Sequence, residues 1–438
     1  MLKANNYPQL KTTQGARVAI IDGLRTPFVK KNTDFKDVYA KDLGAMVTNE
    51  LLNRLPIERT KIDQLIFGQV MHDPDVPNIS REIALLLNMP HLPAYTVSNA
   101  CITGIQVLAN MASSIAIGAI DCGIAGAADS FSNAPIRLNS RLIQQLKDIL
   151  KAKTYTDKYH LLRQIKLQDI KFNATNLRDP LTGLSLSDVS EQLAYDFHLS
   201  REELDQYAAR SHLLAKQAWQ SGVLREQVMV SFPPPYTQFV ISDNHFTKNI
   251  KPQFYQKFKP FNSAYYATAT EWNTSCSCDG AAAILLMNEQ QAKAEGLTPL
   301  GYIRSYATVA TDVWQNMLCG AVPAIAMVLE QAGISLQDLD LIDLHETSAA
   351  QVLTNLRLLD DQQFTQQTLN RTEKVGEVDM DKFNVWGGSL AYGNPRAVSS
   401  LRLAIQSLYE LKRRGGHLSL IASSSLGGLG GAMILERE

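Results

Sequence analysis

Two stretches of this chain, 17–130 and 295–438, carry the same succession of short apolar runs and amphipathic segments. That duplication restricts the fold more than any single motif does. In the first stretch, Arg17–Asp22 reads as a buried strand. Lys41–Leu55 reads as a helix, with Leu43, Met46, Val47, Leu51 and Leu52 at helical spacing. Ile62–Met71 and Tyr95–Ala100 are further strand candidates. Ile102–Ile117 is a helix rich in small residues, closed by Gly118, and Cys122–Ala128 is a strand entering a Gly-rich turn. The second stretch repeats the plan. Ala321–Ala332 is a helix ended by Gly333, and Leu339–Leu344 is a strand. Pro395–Arg414 is a helix opened by Pro and closed by Gly415 and Gly416. Leu418–Ala422 and Ala432–Leu435 are strands. Strands alternating with helices predict an α/β protein of layered architecture. We divide the chain into an N-terminal half, 1–130, completed by 266–294, then an inserted domain, 131–265, and a C-terminal half, 295–438.

The insert has a different character. It contains Pro233–Pro235 and two helical patches, and its segment 137–172 holds nine Lys and Arg against three Asp. Leu142, Ile143, Leu146, Ile149 and Leu150 interleave with those charges at helical spacing. A solvated helical insert accounts for this, and so does a contact for a membrane surface or an anionic partner. The whole chain is otherwise balanced, with 42 Lys and Arg against 43 Asp and Glu, which argues against nucleic acid as a partner. The first fifteen residues have no apolar core of a secretory signal, and no run is long enough to span a membrane. Five scattered cysteines, Cys101, Cys122, Cys276, Cys278 and Cys319, read as reduced thiols of a cytoplasmic protein.

Four clusters carry chemistry. Cys101 sits where a strand turns into a helix, and backbone N–H groups there stabilise a thiolate or an oxyanion. A buried structural cysteine suits the same position. His345-Glu346 follows a strand directly, where α/β folds place functional groups. Asn384–Pro395 is a Gly-rich loop running into a helix. Ala422–Gly431 has the glycines of a phosphate loop, but no Lys-Ser or Lys-Thr follows. No G-x-G-x-x-G opens a helix after the first strand, which disfavours a nicotinamide dehydrogenase. Cys276-x-Cys278 lacks a second pair at zinc spacing, so no metal site is expected.

Together these clusters resemble the thiolase family, most closely the β subunits of fatty-acid oxidation complexes. The similarity runs through Arg25–Pro27, Pro77–Glu82, Ser98–Cys101, Gly126–Asp129, Ser200–Asp205, Asp279–Ala283, His345-Glu346, Asn384–Gly388, Ala391–Gly393 and Gly427–Gly430. The resemblance implies two α/β halves of one kind in an α-β-α-β-α stack, with a loop domain over coenzyme A. It implies a homodimer or a dimer of dimers, and acyl transfer between acyl-CoA thioesters with coenzyme A as substrate and product and no covalently bound cofactor. It assigns Cys101 as the acylated nucleophile and His345 to the oxyanion site. Asn273, Ser275, Trp272, Glu346 and Gly393 are assigned to substrate and coenzyme A.

The chain departs from the family pattern at two catalytic positions. Where the family has His in Gly-His-Pro, this chain has Asn394. Where the family has a second Cys, it has Ser424. Glu271 and Trp272 stand at small-residue positions near the pantetheine channel, and Arg396 and Val398 at small-residue positions after the Pro. An amide cannot take up a proton at neutral pH, and loss of acid–base help costs about 10²–10⁴-fold per group. His345, His72 and Glu271 are candidate replacement bases. Thiol acylation is the less affected half-reaction, because sulfur is intrinsically nucleophilic. Carbon–carbon bond chemistry suffers more. Three readings follow: an acyltransferase with impaired chemistry, an acyl-CoA hydrolase or acyl shuttle, and a silent coenzyme A-binding or scaffold subunit. The last is expected to pair with a hydratase–dehydrogenase partner.

Overall fold

The computed structural model describes residues 10–135, 137–138, 140–166, 172–173, 178–247, 250–315 and 317–438. The first nine residues, and Lys171 and Asp169 of the basic segment, lie outside them. In the N-terminal half the strands are β1 (Val18–Arg25), β2 (Gln64–Gly68), β3 (Ala94–Val97), β4 (Cys122–Asp129) and β5 (Cys278–Asn288). The C-terminal half supplies β6 (Gly301–Ala310), β7 (Leu341–Leu344), β8 (Leu418–Ser425) and β9 (Leu429–Glu436).

Their order is β7-β8-β9-β6-β1-β5-β4-β2-β3. Read outward from the β1–β6 junction, the two arms are the same. Each begins with its first strand, then its last, then the strand before the last, then its second, and the pair senses agree along both arms. At the outer edge, β3 lies parallel to β2, and Phe383 forms a parallel bridge to Ile342 of β7. The duplicated plan is therefore a duplicated fold, its halves joined by antiparallel pairing of Val18–Ile20 with Gly301–Ile303.

Helices α1 (Ala40–Arg54), α2 (Ile79–Leu86) and α3 (Thr103–Ala116) follow β1, β2 and β3. The insert contributes α4 (Ser140–Lys151), α5 (Tyr155–Leu162), α6 (Leu186–Asp196) and α7 (Arg201–Ser221). The C-terminal half has α8 (Ala321–Ala332), α9 (Ala349–Leu359) and α10 (Ser399–Arg414). Helix α1 covers one face of the N-terminal arm and α8 one face of the C-terminal arm, while α3 and α10 pack on each other between the arms. Their approach is close. A Cβ on Gly104 of α3 would lie 2.8 Å from the backbone nitrogen of Leu401 in α10, so only glycine fits there. The sandwiched strands read as continuous small and aliphatic runs because both faces are covered. In β5, every residue from Cys278 to Met287 is buried.

Two segments differ from their sequence expectation. Pro395 does not open the helix. Arg396–Val398 forms a separate 3₁₀ turn and α10 begins at Ser399, because Asp129 Oδ2 captures the Ala397 N–H at 2.9 Å. The Gly-rich run 422–431 is a β8–β9 hairpin. Gly427 and Gly428 take φ of 80° and 67° in its turn, a backbone that favours glycine for geometry alone. Among the described residues no helix is long and apolar enough to cross a membrane.

Candidate active site

Both halves aim their central helices at one place. Cys101 lies in a 3₁₀ turn, Ala100–Ile102, between β3 and α3. Ala100 takes φ of 48° to make that turn, a left-handed conformation that a non-glycine residue adopts only where its surroundings hold it. Thr103 Oγ1 fixes the turn by donating to Ala100 O at 2.6 Å and accepting from Asn99 N at 2.8 Å. The Cys101 carbonyl accepts from Ser400 Oγ of α10 at 3.1 Å and from Ser423 Oγ of β8 at 3.3 Å. The C-terminal half therefore positions the thiol of the N-terminal half.

Cys101 is 2% exposed. Burial pushes its thiol up, and the charge and hydrogen bond of Arg396 pull it partly back.

His345 follows β7 and donates its backbone N–H to Ala422 O of β8 at 2.8 Å. Its Nδ1 lies 3.0 Å from Ser389 Oγ, and its buried Nε2 has no partner. Burial, helped by Arg402 and Arg396, lowers its pKa to about 3, so the ring is neutral at pH 7. When Ser389 donates to Nδ1, the ring proton sits on Nε2. That N–H is then a donor without a protein acceptor, fit for an oxyanion.

Asn394 is buried, with Nδ2 donating to Ser275 Oγ at 3.1 Å and Oδ1 accepting from Ser399 Oγ at 3.0 Å. Ser275 Oγ in turn donates to Thr347 O at 2.8 Å. Ser424 Oγ accepts the N–H of Ala321, the first residue of α8, at 2.9 Å. It thus leaves β8 on the face opposite Ser423.

A cavity of about 580 Å³ opens between the insert and the two halves. Lys30, Lys31, His212, His245, Glu271, Trp272, Cys276 and Ser277 help line it. Trp272 is held there as a flat wall. Its ring stacks between His212, 4.5 Å away, and Tyr255, 5.3 Å away, and its indole N–H donates to Asp205 O at 3.1 Å. Gly393 borders this wall with φ of 88°, and a Cβ there would lie 2.6 Å from the His245 ring.

Asn273 and Glu346 spend their polar atoms within the fold. The Asn273 amide is used within the fold, on Asp205 Oδ1 and Thr268 O at 2.9 Å each and on Thr270 N at 2.8 Å. Glu346 accepts from Tyr207 and Ser211 of α7, from Asn384 Nδ2 and from Leu390 N. Both residues tie the insert to the halves and, like Cys101, His345, Asn394 and Ser424, are not among the residues lining the cavity. Of the candidate replacement bases, His72 is exposed and outside the site, and Glu271 is exposed at the cavity rim.

Sequence reasoning missed His245. It lines the cavity, its Nε2 is buried without a partner, and burial lowers its pKa to about 4. No motif marks it. Its placement depends on its neighbour Asp243, whose carboxylate grips Arg25 through two hydrogen bonds of 2.7 and 2.8 Å.

The family model described as "Thiolase, N-terminal domain" matches residues 18–290, and "Thiolase, C-terminal domain" matches 297–437. The chain belongs to the thiolase family. Two thiolase relatives named 3-ketoacyl-CoA thiolase cover nearly the whole chain. That of Pseudoalteromonas translucida (strain TAC 125) is 46% identical, over 98% of each chain. That of Yersinia pestis (strain Pestoides F) is 47% identical, over 98% of this chain and 99% of its own. Among solved thiolase structures, human mitochondrial 3-ketoacyl-CoA thiolase in complex with CoA superposes with a TM-score of 0.84 at 26% identity, covering 99% of this chain and all of that one. Bacillus anthracis acetyl-CoA acetyltransferase gives 0.83 at 27%, covering 96% and 98%. As a thiolase this chain is an acyltransferase.

Proposed function

We propose that the chain transfers acyl groups of acyl-CoA or 3-oxoacyl-CoA thioesters through an acyl-Cys101 intermediate, in fatty-acid β-oxidation or a related route. The observation that carries this reading is the buried thiol on its fixed 3₁₀ turn together with a neutral His345 whose Nε2 has no partner, both groups feeling the charge of Arg396. The first supplies a nucleophile and the second an oxyanion donor. The cavity, with Lys30 and Lys31 at one side, suits an anionic nucleotide with a pantetheine arm.

The chemistry is impaired at its proton transfers. Asn394 is an amide held between Ser275 and Ser399, and Ser424 is an acceptor for Ala321. Neither replaces a base, so acylation outruns carbon–carbon bond making or breaking.

Exposure to acetyl-CoA followed by intact-mass measurement is expected to give a single acetyl adduct that C101S abolishes. An unmodified wild-type chain would end the enzymatic reading. The double variant N394H/S424C is expected to raise thiolysis of acetoacetyl-CoA by about 10²–10⁴-fold. No gain would place the block at Trp272 or Arg396 instead.

The cysteine usage favours the cytoplasm, and the family resemblance favours a homodimer or a dimer of dimers with a hydratase–dehydrogenase partner. The basic insert is the contact surface in this reading. Helices α4 and α5 pack together and expose Leu150, Tyr155, Tyr159 and Leu162 among lysines. Reversing Lys147, Lys151 and Lys158 to Glu is expected to abolish sedimentation with anionic vesicles while leaving the acetyl adduct intact. Loss of a co-purifying partner with unchanged vesicle binding would assign the surface to protein instead.

A further inference from the structure

Besides its basic helices, the insert sends out a second arm. Residues 227–242, which follow α7 and end at Asp243, hold no charged side chain. The root of this arm is rigid. Arg25 donates its backbone N–H to Gln227 O and accepts that of Met229, at 2.9 Å each, and its guanidinium is gripped by Asp243 at the other end. Above the root, Ser231 and Val240 form an antiparallel bridge with backbone bonds of 2.9 and 2.8 Å. Extended backbone sends alternate side chains to opposite faces. Met229, Ser231 and Val240 turn inward and are buried. Val230, Phe232, Phe239 and Ile241 turn outward and, with Tyr236 at the tip, are 45–71% exposed. The Phe232 and Phe239 rings lie 6.5 Å apart across the hairpin, so the patch is continuous. A hairpin with one wet face ordinarily carries polar residues there, and a continuous apolar patch marks a contact surface.

Two observations say what covers it. The first is the backbone of the tip. Pro233, Pro234 and Pro235 have no N–H, Ser231 donates to Val240 O, and Tyr236 donates to Pro233 O at 2.8 Å. A partner that adds a strand needs free edge donors, and residues 231–236 offer only that of Phe232. Lipid penalises free donors instead, so the same lack suits it. The second is the place of the arm. Asn244, at its foot, accepts the Lys30 N–H at 2.7 Å and donates to Thr33 Oγ1 and Asp34 Oδ2 at 3.1 Å. The same loop holds the root of the basic helices. Asn32 N donates to Ser132 Oγ at 2.8 Å, and Asn133 Nδ2 donates to Val38 O at 3.0 Å. The apolar arm and the basic arm therefore spring from one support.

We propose that the hairpin 227–242 is an apolar anchor that inserts Phe232, Tyr236 and Phe239 into the headgroup–acyl boundary of an anionic lipid bilayer. The proposal deepens the reading of α4 and α5 as a membrane surface and rests on it for the first attraction. Exposed lysines draw the chain to anionic headgroups, but salt screens them. A few apolar side chains alone bind a bilayer only marginally, so stable attachment takes both signals. Aromatic rings suit the boundary because they tolerate its mixture of water and hydrocarbon. A bilayer is fluid and conforms to a convex tip without a matching groove.

The test is sedimentation of the full chain with sucrose-loaded vesicles of mixed phosphatidylcholine and phosphatidylglycerol. F232S/F239S/I241S is expected to weaken binding about tenfold or more, with the acetyl adduct unchanged. In F239W, the emission added to that of the four native tryptophans should shift to the blue on the vesicles, and brominated acyl chains should quench it. That second measurement carries the test if the serine variant loses its fold. Binding unchanged by the serines, or an added indole that neither shifts nor is quenched, overturns the proposal. Lysine reversals in α4 and α5 that abolish sedimentation while the serines do not would leave the basic surface standing without the anchor. Serines that abolish it while the lysine reversals do not would support the anchor and sink the basic-surface reading. A wild-type chain that stays in solution overturns both. A concentration-dependent rise in mass without lipid, abolished by the serines, would assign the patch to a second copy of the chain and overturn the lipid proposal as well.

Discussion

In the proposed oxyanion role of His345, Ser389 decides which ring nitrogen carries the proton. Its hydroxyl is 3.0 Å from Nδ1, and Nε2 has no other partner, so removing the hydroxyl releases the tautomer and the ring orientation together. S389A is expected to slow acetyl-adduct formation about tenfold, less than the roughly 10²–10³-fold that outright loss of an oxyanion donor costs, because the imidazole itself remains. The pH midpoint of Cys101 alkylation should not move. A moved midpoint would mean that Ser389 acts on the thiol and not through His345. At this scale the sequence was legible for identity and much less so for role. Cys101 and His345 stood out because a strand end followed by a helix is a recognisable place. Glu346 stood out equally, in its pair with His345, and Asn273 entered through the family resemblance, yet their oxygens and nitrogens are taken up by Tyr207, Ser211, Asp205 and Thr268. A motif names a polar residue but does not say whether its partner is a ligand or another part of the chain.

At the scale of elements, the site depends on how closely α3 and α10 approach, since each carries or follows a catalytic turn. G104A would place a methyl 2.8 Å from Leu401 N and 3.1 Å from Ala397 O. Backbone atoms on both sides cannot yield as a side-chain tip would, so the helices must separate. The expected cost is about 1–3 kcal/mol of stability, read from the midpoint of urea unfolding. Acetyl-adduct formation should fall by about tenfold or more, because small misplacements at a reacting centre are expensive. A variant that unfolds like wild type and acylates at the wild-type rate would mean that the helices have slack. The elements themselves were readable from periodicity, as α8 at Ala321–Ala332 illustrates. The Pro395 turn was not, because its 3₁₀ form is imposed by Asp129, 268 residues earlier in the chain. The hairpin at Gly427–Gly428 was not readable either, since glycines that serve a phosphate and glycines that serve a tight turn look alike.

The whole molecule carries a cost of its architecture in two buried histidines and a half-buried one. The fold holds His345 and His212 at pKa values of about 3 and His245 at about 4, in each case mainly through burial. An unfolded chain lets each return to about 6.5. The folded values are depressed, so between about 4 and 6.5 the unfolded state binds more protons than the folded state does. Stability is therefore full above pH 6.5 and is lost as the pH falls. Each histidine contributes about 1.4 kcal/mol per pH unit once the pH is well below 6.5, or about 4 kcal/mol per unit for the three together. Urea unfolding at pH 7, 6 and 5 is expected to give midpoints that drop steeply between 6 and 5 and change little above 7. Replacing His245 with Gln removes one titrating group at the insert's contact with Gly393 and should flatten that slope by about a third. A profile flat from pH 7 to 5 would mean that these rings are wet in solution. The cavity would then be open to water as far as Trp272.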